Sequence, residues 1–214
     1  MSLPSRRTDP GSSALFTDLY QLTMAQAYVA EGLDGPAVFS LFCRNLPAHR
    51  NYLMACGLEP ALEYLEELSF TEEELEFLAG HPEFETPFID YLEEFSFTGD
   101  VHAVPEGTPV FPDEPLLEVE APIAEAQLAE TLLLNQLHFS TVLASKAVRV
   151  VDAAGDRAGV VDFGMRRMHG TDAAMKAARA FHIAGVTATS NVRAGQAYDL
   201  PITGTMAHSY IEAH

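Results

Sequence analysis

Cysteine, tryptophan and basic side chains are scarce in this 214-residue chain. It holds two cysteines, no tryptophan, and 12 Lys and Arg against 31 Asp and Glu, for a formal charge of -19. Each scarcity excludes something. Cys43 and Cys56 are too few for a disulfide framework, and neither has a CxxC partner, so a reducing, cytoplasmic setting is the default expectation. So acidic a surface repels a phosphate backbone unless its few cations are gathered in one place, which argues against a nucleic-acid partner. The opening residues MSLPSRRTDPGSS carry Arg6 and Arg7 but no apolar signal region, and no later apolar run approaches the ~20 residues of a membrane span. P-loop, GxGxxG-after-strand, HExxH and zinc-spacing motifs are also missing, so the sequence names no metal ligand.

What is there is the composition of a globular protein, 48% hydrophobic and 20% charged. After a disordered leader over 1–13, Leu15, Leu19, Leu22, Ala25 and Val29 mark an amphipathic helix ending near Gly32. AVFSLFCR (Ala37 to Arg44) reads as a strand, and helices are expected from about Tyr52, with Thr71 and Glu74 forming a capping box. The glutamates Glu63, Glu66, Glu67, Glu72, Glu73, Glu74 and Glu76 among those helices read as a solvated face. Prolines and glycines then cut the chain into short β segments such as Asp100 to Val104 and Leu116 to Glu120. Pro122 suits the first turn of a long helix from about Ile123 to Asp152, with Leu128, Leu132, Leu137 and Val142 on its apolar side.

From Gly155 the chain alternates: strand AGVVDFG, helix Thr171 to Ile183, strand GVTATSN, helix Val192 to Tyr198, strand PITGTMAH. That rhythm predicts a parallel sheet covered by helices. Only about three such units precede His214, whereas a closed barrel takes around eight, so the expectation is a chain that ends inside a barrel. The domains follow as 1–13 leader, 14–122 N-terminal α/β domain with a small β layer, and 123–214 connecting helix and first part of the barrel.

Three segments are candidates for chemistry. DFGMRR (Asp162 to Arg167) stands at a strand end and holds Arg166 and Arg167, whose guanidinium groups bind phosphate or carboxylate in bidentate fashion. On a continuing strand only one of the two faces the site; pairing with surface carboxylates satisfies the same spacing. Phe163 beside them reads more often as core packing. GTMAH (Gly204 to His208) offers the Thr205 hydroxyl and the titratable His208, although a lone histidine is usually structural. In FTDLYQLTM, Tyr20 presents a flat amphipathic ring or simply a boundary side chain. Thr187, Thr189 and Ser190 of GVTATSN read as parts of one strand.

Taken together and in order, FTDLYQLTMAQAY, FSLFCRNLP with LMACGLEPALEYL, LLLNQLHFSTVLASKAVR, VVDFGMRRMHG, GVTATSN and ITGTMAHSYI resemble nicotinate phosphoribosyltransferase from about Leu15 to Ile211. The resemblance implies an α/β N-terminal domain packed on an irregular, here incomplete, (β/α) barrel, and a homodimer with shared active sites. It implies transfer of a phosphoribosyl group from phosphoribosyl pyrophosphate to nicotinate, with ATP as co-substrate and Mg²⁺, in NAD biosynthesis. Tyr20 matches the tyrosine laid over the nicotinate ring from the neighbouring subunit, and Phe163 the phenylalanine opposite. Thr205 matches a nicotinate-contacting threonine and His208 the phosphorylated histidine. Arg166 or Arg167 would stabilise the departing pyrophosphate or hold the substrate phosphates. Rival readings are the nicotinamide-specific transferase, a quinolinate phosphoribosyltransferase, and a non-catalytic piece that only dimerises or binds nicotinate.

Overall fold

A computed structural model describes residues 13–213; the predicted leader over 1–13 lies almost wholly outside them. Within these residues the chain is a mixed α/β protein of two compact units that interleave along the sequence. One, the sheet unit, comprises residues up to Cys43 with Leu58–Val104 and Asp113–Leu137; the other, the cleft unit, comprises Arg44–Gly57, Pro105–Pro112 and everything from His138 on. The single cut at 122/123 drawn from sequence instead falls inside the sheet unit. Two short segments distant in sequence account for the interleaving, because β2 (Leu53–Met54) pairs antiparallel with β4 (Pro109–Val110).

In the sheet unit, α1 (Leu19–Glu31) closes on Gly32, whose φ of 68° is the left-handed conformation that terminates helices. Strand β1 (Pro36–Phe42) pairs antiparallel with β5 (Pro115–Pro122), which pairs on its other side with β3 (Asp100–Ala103). Helices α2 (Leu58–Glu67), α3 (Glu72–Ala79) and α4 (Thr86–Glu93) complete it. The Thr71–Glu74 capping box is formed at α3. The glutamates of α2 and α3 are exposed, as their pattern requires, except half-buried Glu74. Its carboxylate accepts from Ser13 Oγ at 2.6 Å and from the Thr71 amide at 2.9 Å. Phe88, Leu92, Leu117 and Leu132 are almost fully enclosed and form the heart of this unit.

Helix α5 (Ile123–Ala154) supplies its first half to the sheet unit and its second half to the cleft unit. Leu128, Leu132 and Leu137 are buried as predicted, but Val142 is exposed. Pro122 ends β5 and does not open the helix. The helix expected from Tyr52 begins only at Leu58, because the Met54 amide donates to Ser145 Oγ at 2.8 Å and the Cys56 amide to Thr141 Oγ1 at 3.2 Å. Those contacts with α5 hold 53–56 extended, and local pattern gives no sign of them.

In the cleft unit, β6 (Val161–Asp162), α6 (Thr171–Ile183), β7 (Ala188–Thr189) and α7 (Val192–Tyr198) alternate as the sequence predicts. Strands β6 and β7 are parallel, and Ile202 bridges in parallel to Thr189. The third strand is thus reduced to one bridge, after which the chain runs irregularly into α8 (His208–Glu212). The core here is small-featured: Ala144, Ala147 and Val148 of α5 pack with Ala180, Ala184 and Val186. No helix among the described residues is long and apolar enough to cross a membrane.

Candidate functional site

Three chain segments leave the parallel strands at the same end, and together they line an open cleft of about 830 Å³. Phe163, Met165 and Arg166 follow β6; Ser190 and Val192 follow β7; Thr203 to His208 follow the Ile202 bridge. The carboxyl ends of parallel strands are where α/β folds gather ligand-binding side chains, since loops there vary without disturbing the sheet.

Behind the cleft lies a hydrogen-bond network. At the end of β6, Asp162 Oδ1 accepts from the Gly164 amide at 2.7 Å, folding the chain back into a 3₁₀ turn over Met165–Arg167. Because the strand has already turned, the alternation expected for Arg166 and Arg167 does not apply; Arg166 lines the cleft and Arg167 is absent from its lining. Asp162 Oδ2 accepts from Thr189 Oγ1 at 2.9 Å, and Thr189 Oγ1 accepts from the Asn191 amide at 3.1 Å. Asn191, 3% exposed, caps α7 through Ala194 and donates to the Ala174 carbonyl of α6. Gly195 in α7 allows Ile202 to approach; a Cβ there would sit 2.2 Å from Ile202 Cγ2.

Four sequence candidates therefore meet in one place: Phe163, Arg166, Thr205 and His208. Phe163 is 48% exposed, so it is a cleft wall and not the core residue its apolar character also permits. His208 is exposed and opens the short helix α8. Sequence reads Ser190 as a strand residue and Val192 as the start of a helix, so neither is a site candidate there; β7 ends at Thr189, and both lie just past it.

Tyr20 belongs to the sheet unit. It is half-exposed near the start of α1, accepts from Gln21 Nε2 at 2.9 Å and donates to Glu130 Oε1 at 3.4 Å. Partial desolvation, then the Glu130 and Asp18 carboxylates, raise its phenol above the ordinary value, so it remains a neutral ring with a donor hydroxyl. Cys56 is no nucleophile: burial, then the Glu106 carboxylate, push its thiol up to about 12. Among the described residues no group of three His, Cys, Asp or Glu side chains is placed to hold a metal ion.

The chemistry of the cleft suits a small, flat, anionic molecule. An aromatic face offers stacking worth about 0.5–1.5 kcal/mol beyond burial. A guanidinium offers bidentate contact with a carboxylate or phosphate, hydroxyls orient the ligand, and an imidazole can take or pass a group. The fold and site together define a mixed α/β protein with an open cleft at its parallel strand ends, lined by a phenylalanine, an arginine, hydroxyls and a histidine.

The family model of the nicotinate phosphoribosyltransferase (NAPRTase) N-terminal domain matches residues 15–138, and the chain belongs to that family. It is 55% identical over 200 residues to nicotinate phosphoribosyltransferase pncB2 of Mycobacterium tuberculosis, covering 94% of this chain and 43% of that protein. Against nicotinate phosphoribosyltransferase of Bacillus subtilis the identity is 47% over 204 residues, covering 95% of this chain and 41% of that protein. The crystal structure of human nicotinic acid phosphoribosyltransferase superposes with a TM-score of 0.84 at 34% identity, over 92% of this chain and 40% of that one. A nicotinate-nucleotide pyrophosphorylase from Pyrococcus furiosus shares the fold, with a TM-score of 0.77 at 24% identity over all of this chain and 47% of that one. The chain thus spans less than half the length of the proteins it matches, between 40% and 47% of these four.

Proposed function

We propose that this chain carries the nicotinate side of a nicotinate phosphoribosyltransferase, which forms nicotinate mononucleotide and pyrophosphate from nicotinate and phosphoribosyl pyrophosphate with hydrolysis of ATP, in cytoplasmic NAD biosynthesis. The observation that carries the reading is the convergence of Phe163, Arg166, Thr205 and His208 on one cleft, in a chain 55% identical to a protein of that name. The parallel strands β6 and β7 with Ile202 are read as the first part of an irregular barrel.

In this reading the pyridine ring lies against Phe163, Tyr20 of a neighbouring subunit covers its other face, and Thr205 hydrogen-bonds the ligand. The pyridine nitrogen attacks the anomeric carbon of the ribose; the N–C bond forms as the C–O bond to pyrophosphate breaks, and pyrophosphate leaves with the electron pair. Such a centre passes through an oxocarbenium-like state, so positioning and charge stabilisation supply most of the acceleration. Arg166 meets the phosphates. ATP is coupled by transfer of its γ-phosphoryl group to a ring nitrogen of His208 with ADP as the leaving group, and water later releases that group as inorganic phosphate; while it is attached, its negative charge alters the cleft that Arg166 also lines. Magnesium would be held by the substrate phosphates and would neutralise their charge, since the described residues bring together no three His, Cys, Asp or Glu side chains to ligate it.

The test is incubation of the protein with nicotinate, phosphoribosyl pyrophosphate, Mg²⁺ and ATP, following the mononucleotide by chromatography, with nicotinamide in parallel. Product from nicotinate alone is expected, and His208→Ala should abolish ATP stimulation while leaving slow, ATP-independent transfer. Product from nicotinamide alone would assign the cleft to the amide, and loss of both activities in His208→Ala would contradict the coupling.

A further inference from the structure

Thr189 occupies a position that neither its sequence context nor the proposed reaction explains. It is 2% exposed, yet it touches all three segments that line the cleft. Its amide donates to the Pro201 carbonyl and its carbonyl accepts from the Thr203 amide, both at 3.0 Å, which fixes the strand leading to Thr205. Its hydroxyl donates to Asp162 and accepts from the Asn191 amide, joining the segments that carry Arg166 and Ser190. Asp162 stands opposite Thr189 in the parallel register, one residue before Phe163 and four before Arg166.

Both carboxylate oxygens of Asp162 are committed, Oδ1 to the Gly164 amide and Oδ2 to Thr189. Each oxygen accepts from a different chain segment, so the carboxylate holds the two at a fixed separation. The approach is close: a Cβ at residue 164 would sit 3.1 Å from Asp162 Oδ1, so the carboxylate would have to give by a few tenths of an ångström. The turn that brings Phe163 and Arg166 to the cleft is thus closed by a charged acceptor, which makes stronger hydrogen bonds than a neutral one.

We infer that Asp162 and Thr189 form a positioning pair that holds Phe163 and Arg166 at the cleft, touching no substrate themselves. The inference that this tunes ligand binding rests on the proposed nicotinate reading; the placement itself does not. Thr189→Val keeps the shape but removes the hydroxyl, leaving Asp162 Oδ2 and the Asn191 amide without their partner. Thr189→Ser keeps both bonds. Asp162→Asn keeps an acceptor for Gly164 but loses the anionic acceptor for Thr189.

Two readouts on the intact chain separate the claims. The first uses no ligand: backbone NMR and amide exchange in wild type, Thr189→Val, Thr189→Ser and Asp162→Asn. In Thr189→Val the Asn191 amide should exchange roughly tenfold faster, and the Phe163 to Arg166 resonances should shift. Those of Ala144, Ala147 and Ala180 in the core should stay in place, and Thr189→Ser should restore the wild-type spectrum. The double variant Thr189→Val with Asp162→Asn should add little to either single one. The second readout is nicotinate affinity, expected to weaken roughly tenfold in Thr189→Val and to recover in Thr189→Ser, since small misplacements of binding groups are costly. Unchanged Phe163 to Arg166 resonances in Thr189→Val and Asp162→Asn would overturn the pair, as would a Thr189→Ser variant as perturbed as Thr189→Val. A wild-type chain that fails to bind nicotinate while Thr189→Val moves the loop resonances would sink the nicotinate reading and uphold the pair.

Discussion

The sheet unit and the cleft unit bury different side chains. Phe88, Leu92, Leu117 and Leu132, all in the sheet unit, are among the largest fully enclosed residues, whereas the cleft unit packs alanines of α5 and α6 and leaves Phe163, Ile202 and Met206 about half exposed or more. Apolar burial stabilises by about 25 cal/mol per Å², so large enclosed side chains contribute far more each than alanines do. The lesson is a division of labour. Large side chains are enclosed where the structure is regular, and the proposed ligand site lies where short strands end in exposed loops tied by a few hydrogen bonds.

Three substitutions probe that division, in falling order of effect. Leu92→Ala, at a side chain with no solvent exposure, should cost about 2–5 kcal/mol of stability in urea denaturation while leaving the ligand affinity of the remaining folded protein unchanged. An equal loss of affinity would show that the units are not separable in this way. Gly195→Ala places a Cβ 2.2 Å from Ile202 Cγ2 and 3.2 Å from the Leu200 carbonyl. About 1–3 kcal/mol is expected from overpacking, together with weaker binding because Ile202 and the segment after it line the cleft; a neutral result would mean that the loop gives way freely.

Glu74→Gln should have the smallest effect and one that depends on pH. Burial pushes this carboxyl up, but the hydrogen bonds from Ser13 and Thr71 outweigh it, and the net shift is downward. A depressed carboxyl stabilises the fold above the ordinary carboxylate range, and that contribution disappears as pH falls through the folded-state value. The group is largely at the surface, so less than about 1 kcal/mol is at stake. Urea midpoints should fall less steeply in the variant than in wild type between about pH 6 and pH 3; identical slopes would remove Glu74 from the account.

Sequence made the local devices visible. The α6 and α7 boundaries, the Gly32 terminator and the Thr71 capping box all follow from short-range chemistry: periodicity, a left-handed glycine, an N-cap hydroxyl. It did not reveal what depends on distant partners. Residues 53–56 are held extended by Ser145 and Thr141, some 85 to 91 positions away, against a local pattern that reads as the start of a helix. The site candidates show the same split. Arg166, Thr205 and His208 stood out by residue type at a strand end, and so did Arg167, which the 3₁₀ turn leaves out of the lining. Thr189 looked like an ordinary strand residue because its role lies in contacts with Asp162 and Asn191 that only the fold creates.

Whether the cleft takes nicotinate decides the proposed function most directly. Titrating nicotinate into the isotopically labelled chain, with nicotinamide in parallel, should move the resonances of Phe163, Arg166, Thr205 and His208 together, saturably and much more weakly for the amide, which is not the proposed substrate. Resonances that stay in place at these four residues, or that respond equally to both ligands, would contradict it.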